Sequence, residues 1–212
     1  MKRLFSILLV ALPVHAQPRA GTGILFDEDA DRRCGGVEAE WIAELRSRLP
    51  EFRTTWESIV PSMSRAVTEL TRKAFVPAGN VRLTLCDVPS NSFFGATVNM
   101  RYALRSFTAQ PAPLRYKADT AFHELLHGFI SSNTPSGSSL LAKHASESPC
   151  VRNHLHLLAL QKAVLVKLGE SEALAQVVSI DSQLPSGCYR RAWSLVNQSG
   201  STYLEYIAEL AH

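Results

Sequence analysis

The chain has 212 residues, of which 46% are hydrophobic, 19% charged and 8% aromatic, with a formal net charge of +3. That apolar fraction and low charge exclude a disordered chain, and 11 Gly with 11 Pro exclude collagen-like or low-complexity sequence. No run reaches the roughly 20 apolar residues that a membrane-crossing helix needs.

Met1-Lys2-Arg3, the apolar run Leu4 to Val14, and Val14-His15-Ala16 follow the basic, apolar and small-residue order of a secretory signal peptide cleaved after Ala16. The expected mature chain, Gln17 to His212, keeps 20 basic and 19 acidic residues once Lys2 and Arg3 are gone. So neutral a surface offers no electrostatic footprint for nucleic acid or an anionic membrane. Export to a periplasm or to the extracellular space also sets how the cysteines read. Cys34, Cys86, Cys150 and Cys188 are even in number and contain no CxxC pair, which implies two disulfides. Of the three connectivities, pairing sequence neighbours gives Cys34–Cys86 and Cys150–Cys188.

Asp27, Asp29 and Asp31 alternate like the first ligands of a calcium loop, but Arg32 stands where such a loop needs Gly. A solvated acidic turn is the preferred reading. Val37, Trp41, Ile42, Leu45 and Leu49 have helical spacing. A second helical run, Phe52 to Leu70, follows Pro50, and Pro61 is expected to kink or split it. Residues 77–80 form a turn, after which Val81, Leu83 and Leu85 alternate as a half-buried strand. Phe93 to Phe107 holds β-favouring pieces, with Gly95 as a bulge or close-approach point. From there the chain reads as helical. A helix capped by Asp119 or Thr120 runs to about Ile130. A polar loop covers 131–139, and Leu140 to His144 is a short helical turn. Ser148-Pro149 starts a helix that ends at Leu168 before Gly169. Further helices are expected over Glu172 to Ile180, Tyr189 to Leu195 and Thr202 to Leu210. The fold class is α+β: one domain over 17–212, with a sheet-containing half at about 17–118 and a helical half at about 119–212.

The motif with chemical content is His123-Glu124-Leu125-Leu126-His127. On a helix, residues i and i+4 share a face about 5–6 Å apart, so both imidazoles can address one metal ion. Glu124, beside them, is placed to take a proton from an activated water. Two histidines and a glutamate are also costly to bury without an ion to hold.

With this HExxH helix the chain resembles the zincin metallopeptidases. The resemblance covers the helix around 119–130 and, more loosely, a later helix that brings the third ligand. It implies a sheet lobe and a helical lobe with catalytic zinc between them, an extended peptide laid on a sheet-edge strand, here Phe94 to Val98, and a peptide or protein substrate. Ile130 and Asn133 occupy the positions where metzincins carry Gly and His, so that branch does not apply. Gluzincins take their third ligand, normally Glu, from a helix further along.

Three residues compete for that place. Glu147 has gluzincin-like spacing but precedes the Ser148-Pro149 helix start. His154 and His156 lie within the helix. On its wheel, His154 shares an arc with Val151, Leu157, Leu158, Gln161, Val164, Leu165 and Leu168, while His156 falls with Arg152 and Lys167 as a solvated residue. Asn153-His154 also stands where many gluzincins carry Asn-Glu. His154 therefore ranks first, ahead of Glu147 and His156. His144, Tyr203 and Tyr206 are the chemically suitable donors to a developing oxyanion. The function expected is a secreted or periplasmic zinc-dependent hydrolase, a metallopeptidase with His123, His127 and His154 as ligands and Glu124 as general base. The alternative is an exported metal-binding or interaction module without turnover.

Overall fold

A helix buried on nearly every side organises the molecule. Ser148 Oγ accepts the backbone N–H of Val151 at 3.3 Å and Pro149 opens the first turn, so the chain enters helix α5, Pro149–Lys167, with its N-terminal donors partly satisfied. Val151, Leu155, Leu157, Leu158, Ala159, Leu160, Ala163, Val164 and Leu165 are all buried. Gly169, with φ 74°, ends the helix in the left-handed region that favours glycine. The computed structural model describes residues 22–77 and 79–212; the expected signal peptide at 1–16 lies outside them.

Around α5 the other elements form an α+β arrangement of a three-stranded sheet and eight α-helices among the described residues. Strands β1 (Gly23–Phe26), β2 (Asn80–Thr84) and β3 (Thr97–Asn99) lie in the order β1-β2-β3, all parallel, with Ile24 opposite Val81 and Leu83 opposite Val98. Helices α1 (Glu28–Arg32) and α2 (Ala39–Thr71) separate β1 from β2. Helix α3 (Leu114–Asn133), the short α4 (Ser139–Lys143) and, after α5, helices α6 (Ser171–Asp181), α7 (Cys188–Val196) and α8 (Thr202–Leu210) complete the chain. Helix α5 packs against α2, α3, α6, α7 and α8, and one cluster of buried side chains runs from Ile24 to Leu210. No helix among the described residues is long and apolar enough to cross a membrane.

Several sequence expectations are corrected. Pro50 and Pro61 neither end nor divide a helix: both lie inside the 33-residue α2. Both face solvent, where the carbonyls they leave unbonded can reach water. The apolar stripe Ile42, Leu45, Phe52, Trp56, Ile59, Met63 and Val67 stays continuous and buried. Helix α3 begins five residues before Asp119, directly after Pro113. Asp119 is no cap. It is buried inside the helix, and Arg115 one turn earlier holds it at 3.2 Å. The acidic stretch at 27–31 is not a solvated turn either. Asp27 caps α1 by accepting the Ala30 N–H, and Asp31, fully buried, accepts the Thr84 hydroxyl at 2.8 Å and the Leu85 N–H at 2.6 Å. Both expected disulfides form, Cys34–Cys86 and Cys150–Cys188, with Cα separations of 5.6 and 6.1 Å. Two disulfides are consistent with an oxidising, exported compartment.

Candidate metal centre

Helix α3 carries His123 and His127 one turn apart on the face turned to α5, and His154 comes from the second turn of α5. The three rings meet, with centroid separations of 5.0 Å (His123–His127), 5.5 Å (His123–His154) and 5.2 Å (His127–His154). One ligand nitrogen from each lies within 4.8 Å of the other two, an arrangement able to hold a metal ion.

The outer nitrogens fix the orientation of two of these rings. His154 Nδ1 donates to the Cys150 carbonyl at 2.7 Å. His123 Nδ1 is 3.1 Å from Gln161 Oε1, an acceptor. Each contact places the proton on Nδ1 and leaves the Nε2 lone pair for a ligand, the pattern that metal-binding histidines use. Protonation does not compete at neutral pH. Burial, then the neighbouring His154 and His127, hold His123 well below the usual histidine range. Burial and the neighbouring His154 take His127 down to about 4. Burial lowers His154 too, against the opposing bond to Cys150. Three neutral imidazoles facing one point are a donor set suited to a divalent cation, and the residues present fit one.

Glu124 completes the motif. It is 5% exposed, and its nearest cationic-type neighbour is His127 Nε2 at 3.9 Å. No hydrogen bond holds its carboxylate among the described residues, and burial pushes it up to about 8. With His123 it lines a cavity of about 200 Å³, whose walls include Tyr116, Lys117, Asp181 and Tyr189. His127 opens instead onto a second cavity on the other side, shared with Thr134, Arg152 and His156.

The competing third-ligand candidates lie elsewhere. Glu147 is taken by Arg191, whose Nε is 2.9 Å from it. His156 is not solvated as its wheel position suggests. It is 1% exposed, its Nε2 lies 2.7 Å from Glu209, and its ring meets Tyr206 edge-on. The wheel reading fails for His156 because α8 covers that face of α5. His144, Tyr203 and Tyr206 do not line the cavity. The outer edge of β3 is not free for a peptide, since Asn91 exchanges backbone hydrogen bonds with Thr97 at 3.0 and 2.8 Å, and Ser90 Oγ accepts the Asn99 N–H at 3.0 Å.

Two residues at the site were not singled out from sequence as parts of it. Gln161 orients His123, and its position two turns beyond His154 on the same face was the available signal. Tyr189 places its hydroxyl 3.3 Å from His123 Nε2 and its ring 4.6 Å from that of His154. Burial, followed by the nearby Glu124 and Asp181, raises this phenol above its ordinary range, so it stays a proton donor. Its delivery depends on Gly187, whose φ of 65° starts α7, and on the Cys188–Cys150 bond beside it. Cys150 and Cys188 stand near His154, as do Cys34 and Cys86 near Asp31, but both pairs are disulfide-bonded and offer no thiolate. No protein-family model, curated protein or solved structure matches the chain.

Proposed function

We propose that the chain is an exported zinc-dependent hydrolase, and within that class a peptidase, with His123, His127 and His154 as the zinc ligands. The observation that carries this reading is the position of Glu124: a buried carboxylate without a counter-ion, lining a cavity together with His123, one of three converging imidazoles. Burial favours its protonated form near neutral pH; a cation held by the three imidazoles would draw that proton off and leave the carboxylate as a base. Three neutral imidazoles with an open side are the donor set of catalytic zinc sites, and when bound the metal polarises a carbonyl and lowers the pKa of water toward 7. Glu124 accepts the proton of the attacking water on its carboxylate and passes it to the leaving amine nitrogen. The protonated Tyr189 hydroxyl, held against the histidine cluster, donates a hydrogen bond to the oxyanion as charge develops there.

The test is metal content and turnover together. Mature protein never exposed to chelator should contain about one equivalent of zinc by elemental analysis and should cleave a mixed peptide library. Glu124→Gln should keep the zinc and lose the cleavage. Protein well below one equivalent of metal, or a Glu124→Gln variant that cleaves like the parent, overturns the reading.

A further inference from the structure

The cavity beside Glu124 holds a second charged group that the hydrolytic chemistry does not use. Lys117 lies seven residues before Glu124 on α3, two helical turns away on the same face. It is 6% exposed, yet no hydrogen bond and no ion pair engages its ammonium among the described residues. Its one polar-face contact is the Tyr116 ring, 5.7 Å from Nζ. The nearby carboxylates are committed elsewhere or lie out of reach. Asp181 accepts the Tyr116 hydroxyl at 2.8 Å and the Trp193 indole N–H at 3.0 Å. Asp119 is bound by Arg115. Glu124 makes no ion pair with Lys117.

A buried, unpaired ammonium lowers the stability of any fold that contains it. Lys117 lines the cavity wall with no protein partner for its amine among the described residues. Its missing partner is an anion that enters the cavity.

Resting on the peptidase reading above, we propose that Lys117 is a specificity-determining residue that binds a carboxylate of the peptide substrate. Seven residues of α-helix rise about 10 Å, and an extended chain advances roughly 3.3–3.6 Å per residue. The recognised carboxylate therefore sits within a few residues of the scissile bond. It belongs either to the C-terminus of a short peptide or to an Asp or Glu side chain at that distance, and the two sources are separable by experiment.

Binding decides the matter without relying on turnover. Zinc-loaded Glu124→Gln protein is titrated with acetylated oligoalanines two to five residues long, each as the free acid and as the C-terminal amide. A second matched pair of amidated peptides carries Glu or Gln at one internal position. The free acid of one length, or the Glu peptide, should bind at least about tenfold more tightly than its neutral twin, as expected for a charge-assisted contact. Lys117→Met in the same background should abolish that preference, so that charged and neutral twins bind alike, and Lys117→Arg should retain most of it. Preference in the first pair identifies a C-terminal carboxylate, and in the second a side chain. Equal binding within both pairs, survival of the preference in Lys117→Met, or no binding of any peptide overturns the proposal. A melting curve for each variant confirms that it is folded. Carboxylate preference without cleavage by the parent protein would retire the peptidase reading and leave the Lys117 site standing; cleavage without preference would do the reverse.

Discussion

Two ends of this molecule are each closed by a disulfide beside a buried polar cluster, and they differ in how those clusters are satisfied. At the sheet end, Cys34–Cys86 clasps α1 to the end of β2, and Asp31 inside it accepts the Thr84 hydroxyl and the Leu85 amide. At the other end, Cys150–Cys188 clasps α7 to the start of α5; His154 and His123 spend their outer nitrogens on protein acceptors, and the Tyr189 hydroxyl lies 3.3 Å from His123 Nε2. The first cluster is closed by protein donors. The second aims its remaining lone pairs at a shared point, which is how a ligand site differs from a structural one. The same contrast recurs on α5 alone, where His156 is bonded to Glu209 and His154, two residues earlier, turns toward two other histidines.

The largest expected effect tests that contrast directly. His123→Ala, His127→Ala or His154→Ala should lower zinc affinity by orders of magnitude, because each removes a bond to the metal. His156→Ala should leave zinc affinity nearly unchanged and instead lower stability by about 1–3 kcal/mol, since Glu209 loses a buried partner. Gln161→Leu should fall between, about 10–100-fold weaker for zinc, through a His123 ring that is no longer oriented. Competition titrations with a chromogenic chelator, run beside denaturant melts, separate the two kinds of loss. Zinc loss in His156→Ala with retention in His154→Ala would invert the comparison.

Removing the disulfides is expected to act next most strongly, and unequally. The bridges join cysteines 52 and 38 residues apart, so replacing either pair with serine should cost a similar amount of stability, about 2–5 kcal/mol. Only the Cys150–Cys188 replacement should also weaken zinc binding, because Cys150 supplies the carbonyl that orients His154 and Cys188 anchors Tyr189. Equal effects of the two replacements on zinc would mean that the site depends on global rather than local restraint.

The sequence carried the local signals well and the tertiary ones poorly. His123, Glu124 and His127 are legible because helical spacing alone brings them together, and His154 because its apolar arc marks the inward face of α5. The Ser148-Pro149 start and the Gly169 stop are backbone chemistry and hold to within a residue. What failed depended on partners distant in the chain. Asp119 looks like a cap until Arg115 and burial are known. Pro50 and Pro61 look like breaks until the solvent face of α2 is known. His156 looks solvated until α8, some 50 residues later, covers it. Tyr189 had no marker in the sequence beyond its neighbour Cys188.

A pH measurement sharpens the comparison at Lys117, the charge that neither end accounts for. Burial lowers this amine to about 8 from an ordinary 10.5. Between those values the unfolded chain holds the proton and the native chain does not, so native stability rises with pH through that window. Below pH 8 both states are protonated and the full cost is present. Lys117→Met should remove the rise and stabilise the metal-free protein near neutral pH by at most about 3 kcal/mol. Denaturant melts from pH 7 to 11 read both. A parallel rise in parent and variant would place its origin in another group.

The smallest expected effect belongs to Glu147, and its smallness is informative. This carboxylate has the spacing that an ordinary gluzincin ligand would have, yet it is held by Arg191, and both the Arg191 side chain, 51% exposed, and the pairing sit at the surface. An exposed ion pair contributes about 0–1 kcal/mol and less as salt rises. The Arg191 hydrogen bond keeps Glu147 below the usual carboxylate range, so it stays ionised, but its charge is spent on the guanidinium rather than on the three imidazoles. Glu147→Ala should therefore barely move stability, with any shift fading in high salt, and should leave zinc affinity within about twofold of the parent. A tenfold loss of zinc would mean that the Arg191 pair opens when metal binds and hands its carboxylate to the site, and His154 would then yield its place as third ligand.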